Sequence, residues 1–476
     1  MKLKLALSLV FFTAVAIAQD YTRDIKMGAK AAKEVEKEMG DYHHEALEKM
    51  IRGVGEKLVA ALKKKPEGFQ FQFHLVEAEE PNAFALPGGH IYVTRGLLPL
   101  VQTEDELAGI MAHEVIHVIK RHSVKQFNRA AIPFVLELPG ELVNTVSMTN
   151  LTKLINLPIV FVSETYLAHY SRKHETEADK LGIQLAADAG YNPKVLATAL
   201  TRLSKGVEAM TGELEKRNFL NDHPYTPKRV ETILKLSTKM PVAKSPHLYA
   251  SQEAFTKSFS GLYVGNNPAN GVFLDNLFIH PDLNFSMLMP SGWKNRNEPD
   301  MVSATPSDGG AAVTLSMVDQ SKTPRELGLE MQKKLTQSKT VHLEFAGDTT
   351  INTLPAFILR VTGKRNGKSG TLEMIWISFE QHVYQLSGIS VPEKRKVCAE
   401  AIRSFSQAKS LDRSLIRTRE IEVVKSQSDE TLEAFSKRSN NKLKLEITRI
   451  INDLDKDAKL PADKDIKIAV EKAYQK

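Results

Sequence analysis

The chain has 476 residues, a length that predicts two or three domains, and its 42% hydrophobic and 25% charged residues are ordinary for a globular protein. Its formal net charge is +7, but basic residues are interspersed with acidic ones, as in residues 30–38. This pattern indicates solvated helix faces and argues against nucleic-acid binding. The single cysteine, Cys398, excludes a fold held together by internal disulfides.

The first eighteen residues have the pattern of a secretory signal peptide. Lys2 and Lys4 precede an apolar run over 5–15, and a small–x–small sequence ends at Ala18. We therefore predict cleavage after Ala18, which leaves a mature chain of net charge +5; a membrane anchor is the alternative, but the run is short for a span. An exported chain with one thiol and no lipid-bearing cysteine at its start fits the periplasm of a Gram-negative bacterium.

Residues 20–65 are predicted to be helical, because their apolar residues recur at helical spacing. Alternating apolar residues predict a strand over 69–78, and residues 83–98 resemble a strand pair whose turn contains two glycines. Either strand of this pair could present an edge to an extended peptide. Thr103, followed by Glu106 three residues later, predicts a capped helix start.

Residues 131–162 are apolar but interrupted by three prolines, which excludes one continuous membrane span. They could be core, a lid over a cleft, or a face that rests on a membrane surface. A helix over about 164–189 follows and should end at Gly190.

We predict an α+β fold: a mainly helical first domain with a small β-sheet, then a separate α+β domain and a short βααβ-like tail. In chain order the predicted units are a signal peptide 1–18, the first domain 19–250, a linker 251–274, an accessory domain 275–410 and a C-terminal module 411–476.

The sequence HEVIH at 113–117 suggests a catalytic metal centre. On a helix His113 and His117 lie one turn apart on the same face, so both imidazoles can bind one zinc ion. Glu114 can then take a proton from a water whose pKa the zinc lowers toward 7. The chance occurrence of this pattern on an ordinary helix is the alternative, and a third ligand would argue against it.

The best third ligand lies on the predicted helix over 164–189. Glu175, Asp179 and Gly182 follow at i, i+4 and i+7, which places them on one helix face. Glu175 could bind zinc, Asp179 could orient a ligand histidine, and Gly182 would let the two helices approach closely. His174 is a rival ligand, whereas Glu177 should face solvent.

Five segments together resemble the zinc metallopeptidase family of the CaaX prenyl proteases, membrane-bound HtpX and periplasmic BepA. They are NAFALPGGHIYVTRGLL (82–98), HEVIH (113–117), YSRKHETEADKLG (170–182), AGYNP (189–193) and DHPYTPKR (222–229). The resemblance covers roughly residues 40–235 and implies that the domain over 19–250 is a gluzincin-type zinc metallopeptidase. It also implies that His113, His117 and Glu175 bind one zinc and that Glu114 is the catalytic base. The chain is similar to an exported branch that lacks the prenyl proteases' multiple spans, and it shows no evident helical-repeat C-terminal domain.

His223 and Arg229 match the HP…R element of the same family. His223 could stabilise the oxyanion of the tetrahedral intermediate, or it could occupy the open zinc position and hold the enzyme inactive. A purely structural role, with Arg229 in a salt bridge, is the third possibility.

The tail weakly resembles a LysM module, which often binds peptidoglycan, although Asp429 replaces the usual glycine before the threonine motif. We expect a periplasmic zinc endopeptidase for unfolded or misassembled envelope proteins. The alternative is a chaperone or assembly factor with latent proteolysis. Expected partners are extended polypeptides; envelope assembly machinery, peptidoglycan and a membrane surface are further candidates, and nucleic acid is not expected.

Overall fold

The computed structural model describes residues 21–129, 170–211, 223, 226–298, 301–318, 320–337, 341–365, 368–455 and 459–475. These residues form an α+β structure with helices and several sheets, as predicted. The predicted signal peptide and the apolar segment 131–162 lie outside the described residues. Within the described ranges, no helix combines the length and apolar character that a membrane crossing requires.

Two helices, not one, occupy the segment with helical spacing at the start of the chain. Gly40, at a φ of 69°, follows the first helix and redirects the chain before the second begins. A three-stranded sheet comes next, in which β3 pairs parallel with β1 and antiparallel with β2. Of the two strands considered above as an edge for a peptide, β3 lies in the centre of the sheet and only β2 lies at an edge. The three residues of β2 are buried. The bounds are α1 Thr22–Met39, α2 Glu45–Ala60, β1 Gln72–Val76, β2 Ala83–Ala85 and β3 His90–Thr94.

Helix α3 (Glu104–Ile119) is the centre of the peptidase domain, and nearly all of its residues are buried. The Thr103 hydroxyl caps the helix by accepting a hydrogen bond from the Glu106 amide at 3.1 Å. The Glu106 carboxylate accepts from the amide of Gln102, and not from the Thr103 amide that a capping box would use. The helices packed around it are α4 His122–Arg129, α5 Arg172–Asp188, α6 Val195–Thr211 and α7 Pro227–Ser237.

Helix α5 approaches α3 closely because it carries a glycine at the contact. A Cβ atom on Gly182 would lie 3.1 Å from both the N and Cα atoms of His113, which is tighter than side chains normally allow. The predicted role of Gly182 is therefore confirmed. Past the end of α5, Gly190 adopts a φ of 91°, as expected for a glycine that follows a helix.

The segment predicted as a linker, 251–274, packs into the peptidase core. It contains helix α8 (Gln252–Lys257), and Phe255, Phe259 and Leu262 are completely or almost completely buried there. The glycine, asparagine and proline residues that suggested a linker belong to the turns after these aromatic anchors. The predicted domain boundaries stay proposals.

The following unit is built on a seven-stranded antiparallel sheet of order β10-β11-β12-β13-β9-β8-β7 and a four-stranded sheet of order β14-β6-β5-β4. Apolar residues of the two sheets and of helix α10 form one core, and a second core lies beneath helix α9. The strands are β4 Val272–Leu274, β5 Leu277–His280, β6 Phe285–Leu288, β7 Lys294–Glu298, β8 Met301–Thr305, β9 Ala311–Met317, β10 Val341–Ile351, β11 Leu354–Arg365, β12 Lys368–Phe379, β13 His382–Ser390 and β14 Ser406–Gln407. The helices are α9 Pro324–Leu335 and α10 Arg395–Ile402.

The C-terminal tail begins with the short helix α11 (Ser410–Ser414), and its outer strands pair antiparallel around two short helices. Asp429 has a φ of 58°, so it keeps the left-handed backbone for which glycine would be preferred. The further bounds are β15 Arg417–Lys425, β16 Glu430–Thr431, α12 Leu432–Arg438, α13 Leu445–Ile451, β17 Lys459–Leu460 and β18 Asp465–Ala473.

The tail packs against the peptidase domain at the turn that leads into α3. Ile421, Ile450 and Ile451 belong to the peptidase core. The buried Lys467 ammonium donates to the carbonyls of Pro99 and Val101 at 2.7 and 2.9 Å. The tail therefore completes the surroundings of the helix that carries HEVIH.

Candidate metal centre

Four potential ligands from three parts of the chain converge beside α3. His113 and His117 project from one face of that helix, Glu175 comes from the first turn of α5, and His223 precedes α7. Each is at most 2% exposed. The structure thus brings together the three ligands predicted from helical spacing and adds His223 to them.

The ligand atoms converge on one small space, so that several of them face more than one other ligand atom. The Nε2 atoms of His113 and His117 are 3.0 Å apart, and His223 Nδ1 lies 3.2 Å from His113 Nε2. Glu175 Oε1 lies 3.2 Å from His223 Nδ1 and 3.4 Å from His117 Nε2. One proton cannot serve several such contacts, whereas a single divalent cation could bind the imidazole nitrogens and the carboxylate together.

The spacing matches a zinc ion. Zinc–nitrogen and zinc–oxygen bonds of about 2.0–2.1 Å place tetrahedral ligands about 3.3 Å from one another. The contacts between neighbouring ligand residues run from 3.0 to 3.5 Å, the upper value joining His113 Nε2 and Glu175 Oε2. When one ligand atom is taken from each of the four residues, all of these atoms lie within 4.8 Å of one another. The four residues therefore suit a single zinc ion.

The pKa values of these groups show that the carboxylates stabilise positive charge at His113, while His117 stays neutral. Burial lowers the pKa of His113, but hydrogen bonds to Asp179 and Glu175 outweigh it and raise this pKa to about 10. Burial raises the pKa of Glu175, yet His223 and His113 hold it well below its usual range. Burial, reinforced by the neighbouring His113 and His223, holds the pKa of His117 well below its usual range. Carboxylates and neutral imidazole together form a suitable donor set for a divalent cation.

Asp179 lies behind the ligand His113, as its position one turn after Glu175 predicted. Its Oδ1 is 3.1 Å from His113 Nδ1, the nitrogen that points away from the cluster. Arg229 holds this carboxylate through two bonds, from Nε at 2.8 Å and from Nη2 at 2.7 Å. Arg229 Nη1 also reaches Glu175 Oε2 at 2.8 Å and the His223 carbonyl at 3.2 Å. The arginine is therefore engaged in a buried structural ion pair.

His223 lies between the ligand cluster and Glu114. While its Nδ1 faces the ligands, its Nε2 is 3.4 Å from Glu114 Oε1. A catalytic zinc site keeps one position open for water or substrate. His223 Nδ1 is therefore placed so that it could itself take the fourth position on a bound ion.

Three contributors to the surroundings of His117 did not stand out in the sequence. His122, which is fully buried, faces His117 with the two Nδ1 atoms 3.1 Å apart. The Tyr170 ring packs on His117 with centroids 3.8 Å apart. Glu177, predicted to face solvent, contacts both His122 and Lys120. The one signal in the sequence was that Glu177 belongs to the same HETEAD segment (174–179) as the predicted ligand Glu175.

His174, the rival ligand, lies outside the cluster. Its ring stacks on His122 with centroids 4.3 Å apart and an interplanar angle of 10°. It is not among the four residues that could share an ion. The structure therefore favours Glu175 over His174 as the third ligand.

Comparison with protein families places this centre in a known context. Residues 45–237 match the model of Peptidase family M48. This segment contains all four residues of the cluster together with Glu114, Asp179 and Arg229. Zinc is the cofactor of metallopeptidases of this family.

Similar proteins are named as metalloendopeptidases or assembly-enhancing proteases. The mitochondrial metalloendopeptidase OMA1 of Schizosaccharomyces pombe is 32% identical over 222 residues, which are 44% of this chain and 59% of that protein. The putative beta-barrel assembly-enhancing protease of Vibrio cholerae is 29% identical over 42% of each chain, and the Escherichia coli K12 protein of that name is 28% identical over 35% of this chain and 37% of its own. The chain thus spans about half the length of the relatives it matches.

Solved structures with similarity cover parts of the chain only. A crystal structure from Bacteroides thetaiotaomicron covers 33% of this chain and 55% of its own at 16% identity and a TM-score of 0.22, which is too low to carry an argument. The family match, the named relatives and the ligand cluster agree with one another. The segment 45–237 belongs to the M48 family of zinc metallopeptidases.

Proposed function

We propose that this protein is a periplasmic zinc endopeptidase that cleaves unfolded or misassembled proteins of the cell envelope. The observation that carries the proposal is the buried convergence of His113, His117 and Glu175 beside Glu114. The bacterial relatives named beta-barrel assembly-enhancing proteases support an envelope substrate. The signal-peptide pattern at the start of the sequence supports export.

In the proposed mechanism His113, His117 and Glu175 hold the zinc, and Asp179 fixes the ring of His113 through its Nδ1. Bound zinc would act as a Lewis acid toward the scissile carbonyl and the attacking water. Glu114 takes the proton from that water and passes it to the leaving amine. Its carboxylate is fully buried, so it is shielded from bulk water at the point of transfer.

We propose that His223 is a latch rather than an oxyanion stabiliser. Two of its contacts support this role, because Nδ1 lies 3.2 Å from Glu175 Oε1 and Nε2 lies 3.4 Å from Glu114 Oε1. A latch in this position blocks both the open metal position and the base. His223 must swing out before a substrate binds.

Replacing His223 by alanine tests the latch. Peptidase activity on an unfolded protein such as β-casein should rise in His223→Ala, because the fourth position is opened. A fall in activity, with zinc retained, would instead support the oxyanion role. The matched control is His74→Ala, which removes a partly buried histidine of β1 that stacks on Tyr92 and is not in the ligand cluster.

The zinc content of residues 19–476 tests the proposed centre itself. Elemental analysis of the purified protein should give about one zinc per chain, and Glu175→Ala should lose or weaken it. Little zinc in both proteins would mean a degenerate site. Unchanged zinc in the variant would mean that Glu175 is not the third ligand.

A second candidate function is a chaperone or assembly factor of the envelope with latent proteolysis. The position of His223 favours it, since this ring lies between the ligand Glu175 and the base Glu114 and could hold both in an inactive arrangement. Rescue of an envelope defect by Glu114→Gln would support this role, whereas loss of rescue together with loss of cleavage would support the peptidase. Peptidoglycan binding by the tail and membrane contact by 131–162 stay predictions.

A further inference from the structure

Beyond the cluster, a line of polar contacts leads from His117 to the protein surface. His117 Nδ1 lies 3.1 Å from His122 Nδ1, and His122 Nε2 lies 3.4 Å from Glu177 Oε2. Glu177 Oε1 accepts from Lys120 Nζ at 2.9 Å. His117 and His122 are both fully buried, while the Glu177 side chain is 35% exposed. The contacts therefore join a buried ligand to a carboxylate at the surface.

The protonation of each ring in this line follows from its neighbours. If His117 offers Nε2 to the metal, its single proton must be on Nδ1. The atom placed to accept that proton is His122 Nδ1, so His122 must carry its own proton on Nε2. That nitrogen in turn faces Glu177 Oε2, an acceptor. Every contact then pairs one donor with one acceptor.

The two ligand histidines thus have different kinds of support. His113 Nδ1 meets the carboxylate of Asp179 directly at 3.1 Å. For His117 a second imidazole stands between the ligand and its carboxylate. Ligand histidines in metal sites usually donate their second N–H to a carboxylate, a carbonyl or water, and such partners affect metal affinity.

Packing holds the rings of this line in their planes. The Tyr170 ring lies on His117 at a centroid distance of 3.8 Å, and the His174 ring lies flat on His122 at 4.3 Å. Lys120 is next to the end of α3 and Glu177 is on α5, so their ion pair also ties the two metal-bearing helices together. The geometry is built from both helices and is not a single chance contact.

We propose that His122 and Glu177 form a relay that positions the ligand His117, with His122 as the direct partner and Glu177 as the terminal carboxylate. The proposal rests on the proposed zinc site. It assigns a role to the second glutamate of HETEAD, which is neither a ligand nor the partner of His113. Its effect is on how tightly the metal is held, through the orientation and tautomer of His117.

Zinc affinity is the readout, measured on the full mature chain by competition with a chromophoric chelator at fixed pH. His122→Phe keeps a ring in the stack but removes the acceptor, and Glu177→Ala removes the terminal carboxylate. Each should weaken zinc binding by about 10–100-fold. Glu177→Gln should recover most of the affinity, because its carbonyl oxygen still accepts from His122 Nε2.

Two controls separate the relay from general effects on the helices. Lys120→Met removes only the exposed ion pair and should change the affinity by less than about fivefold. Asp188→Ala removes a carboxylate at the far end of α5 and should leave the affinity at the wild-type value. Thermal unfolding of the metal-free variants shows whether the fold is kept.

The outcomes distinguish this proposal from the one on which it rests. A wild-type chain that binds no zinc would overturn both. Zinc bound by the wild type and held equally well by His122→Phe and Glu177→Ala would overturn the relay alone. Equal loss in Glu177→Ala and Glu177→Gln would also overturn it, since the negative charge and not the hydrogen bond would then be responsible.

Discussion

The two ends of helix α3 both bury charged groups, yet they do so in opposite ways. Near its start Glu104 and Glu106 are 4% and 3% exposed, and near its end His113, Glu114 and His117 are at most 1% exposed. At the first end each carboxylate faces hydrogen-bond donors. At the second end acceptor atoms face one another. One helix therefore carries two charge clusters. We call the start, with Glu104 and Glu106, the structural end, and the part with His113, Glu114 and His117 the catalytic end.

The structural end is closed by complementary partners. Glu104 accepts from the Tyr191 hydroxyl at 2.9 Å and from the amides of Leu248 and Tyr249 at 2.9 and 3.0 Å. Glu106 accepts from Arg202 Nη1 at 2.6 Å and from the Gln102 amide at 2.8 Å. These bonds offset the cost of burying both carboxylates without any added ion.

The comparison teaches how to separate a functional buried charge from a structural one. Burial alone does not do so, because both ends are equally buried. The distinguishing property is whether donors and acceptors balance. Where they do not, as among His113, His117 and Glu175, a cation is the missing partner. The predictions below test the two ends against each other.

The largest effect is expected at the catalytic end. Glu114→Gln keeps the size of the side chain but cannot take a proton, so peptidase turnover should fall about 10²–10⁴-fold. Zinc content and thermal stability should stay near the wild-type values. Turnover on β-casein and elemental analysis of the same sample measure both. Normal cleavage by this variant would contradict the role of Glu114 as the base.

A large loss of stability is expected at the structural end. Arg202→Met leaves the Glu106 carboxylate without its cationic partner, and breaking such a buried pair typically costs about 3–5 kcal/mol in the free energy of unfolding. Urea denaturation of the metal-free protein measures the change. The double variant Arg202→Met/Glu106→Gln should recover much of the stability, because no buried charge is then unpaired. No recovery would mean that the arginine acts through packing.

A smaller effect is expected where α5 meets α3. Gly182→Ala would place a methyl group 3.1 Å from backbone atoms of His113, and overpacking of this kind costs about 1–3 kcal/mol. The helices must separate slightly, so zinc affinity should fall together with stability. Gly53→Ala is the matched control, since its methyl group meets only the end of the Leu248 side chain and alanine favours a helix by up to about 1 kcal/mol. An unchanged zinc affinity in Gly182→Ala would show that the close approach does not position the ligands.

The last effect, the smallest per step of the variable that is changed, is a pH dependence at the structural end. Burial lowers the pKa of Lys467 from 10.5 to about 7, with the charge of Arg202 lowering it further. Below pH 7 the lysine is protonated in both the folded and the unfolded states, so it adds no pH dependence to the free energy of unfolding. Between about pH 7 and 10.5 only the unfolded state keeps the proton, and stability should rise with pH by at most about 1.4 kcal/mol per unit.

The control for this dependence is Lys467→Met, which removes the titrating group. The difference in unfolding free energy between wild type and variant, measured from pH 7 to 9.5, should grow with pH in favour of the wild type. A constant difference would mean that the ammonium is already paired well enough to stay charged.

The ligands on helices were predictable because helical spacing is regular. The i, i+4 relation placed His113 and His117 on one face, and the same relation placed Glu175 with Asp179. The donor atoms of these two faces do meet in the structure. Periodicity could not decide between the roles of His223, since that residue lies outside the regular elements and its distance to the cluster depends on the tertiary fold.

The contact between His117 and His122 shows where such reasoning fails. A separation of five residues on a continuous helix would place the two rings on different sides. Arg121 adopts a φ of 57°, which ends α3 and turns the chain into α4, so His122 comes back against His117. Nothing in the sequence marks an arginine that will adopt a left-handed backbone conformation. The helical break at Gly40, in contrast, is marked by a glycine.

The docking of the tail on the turn before α3 has a consequence for the order of events during synthesis. Lys467 and the isoleucines that complete the peptidase core come from β15, α13 and β18, whereas HEVIH precedes them by about 300 residues. Until these elements have been made and have folded, the carbonyls of Pro99 and Val101 lack their ammonium donor and part of the core is uncovered. The peptidase core is therefore complete only after β18 has docked on the turn before α3, so its folding depends on residues made long after the metal-binding motif.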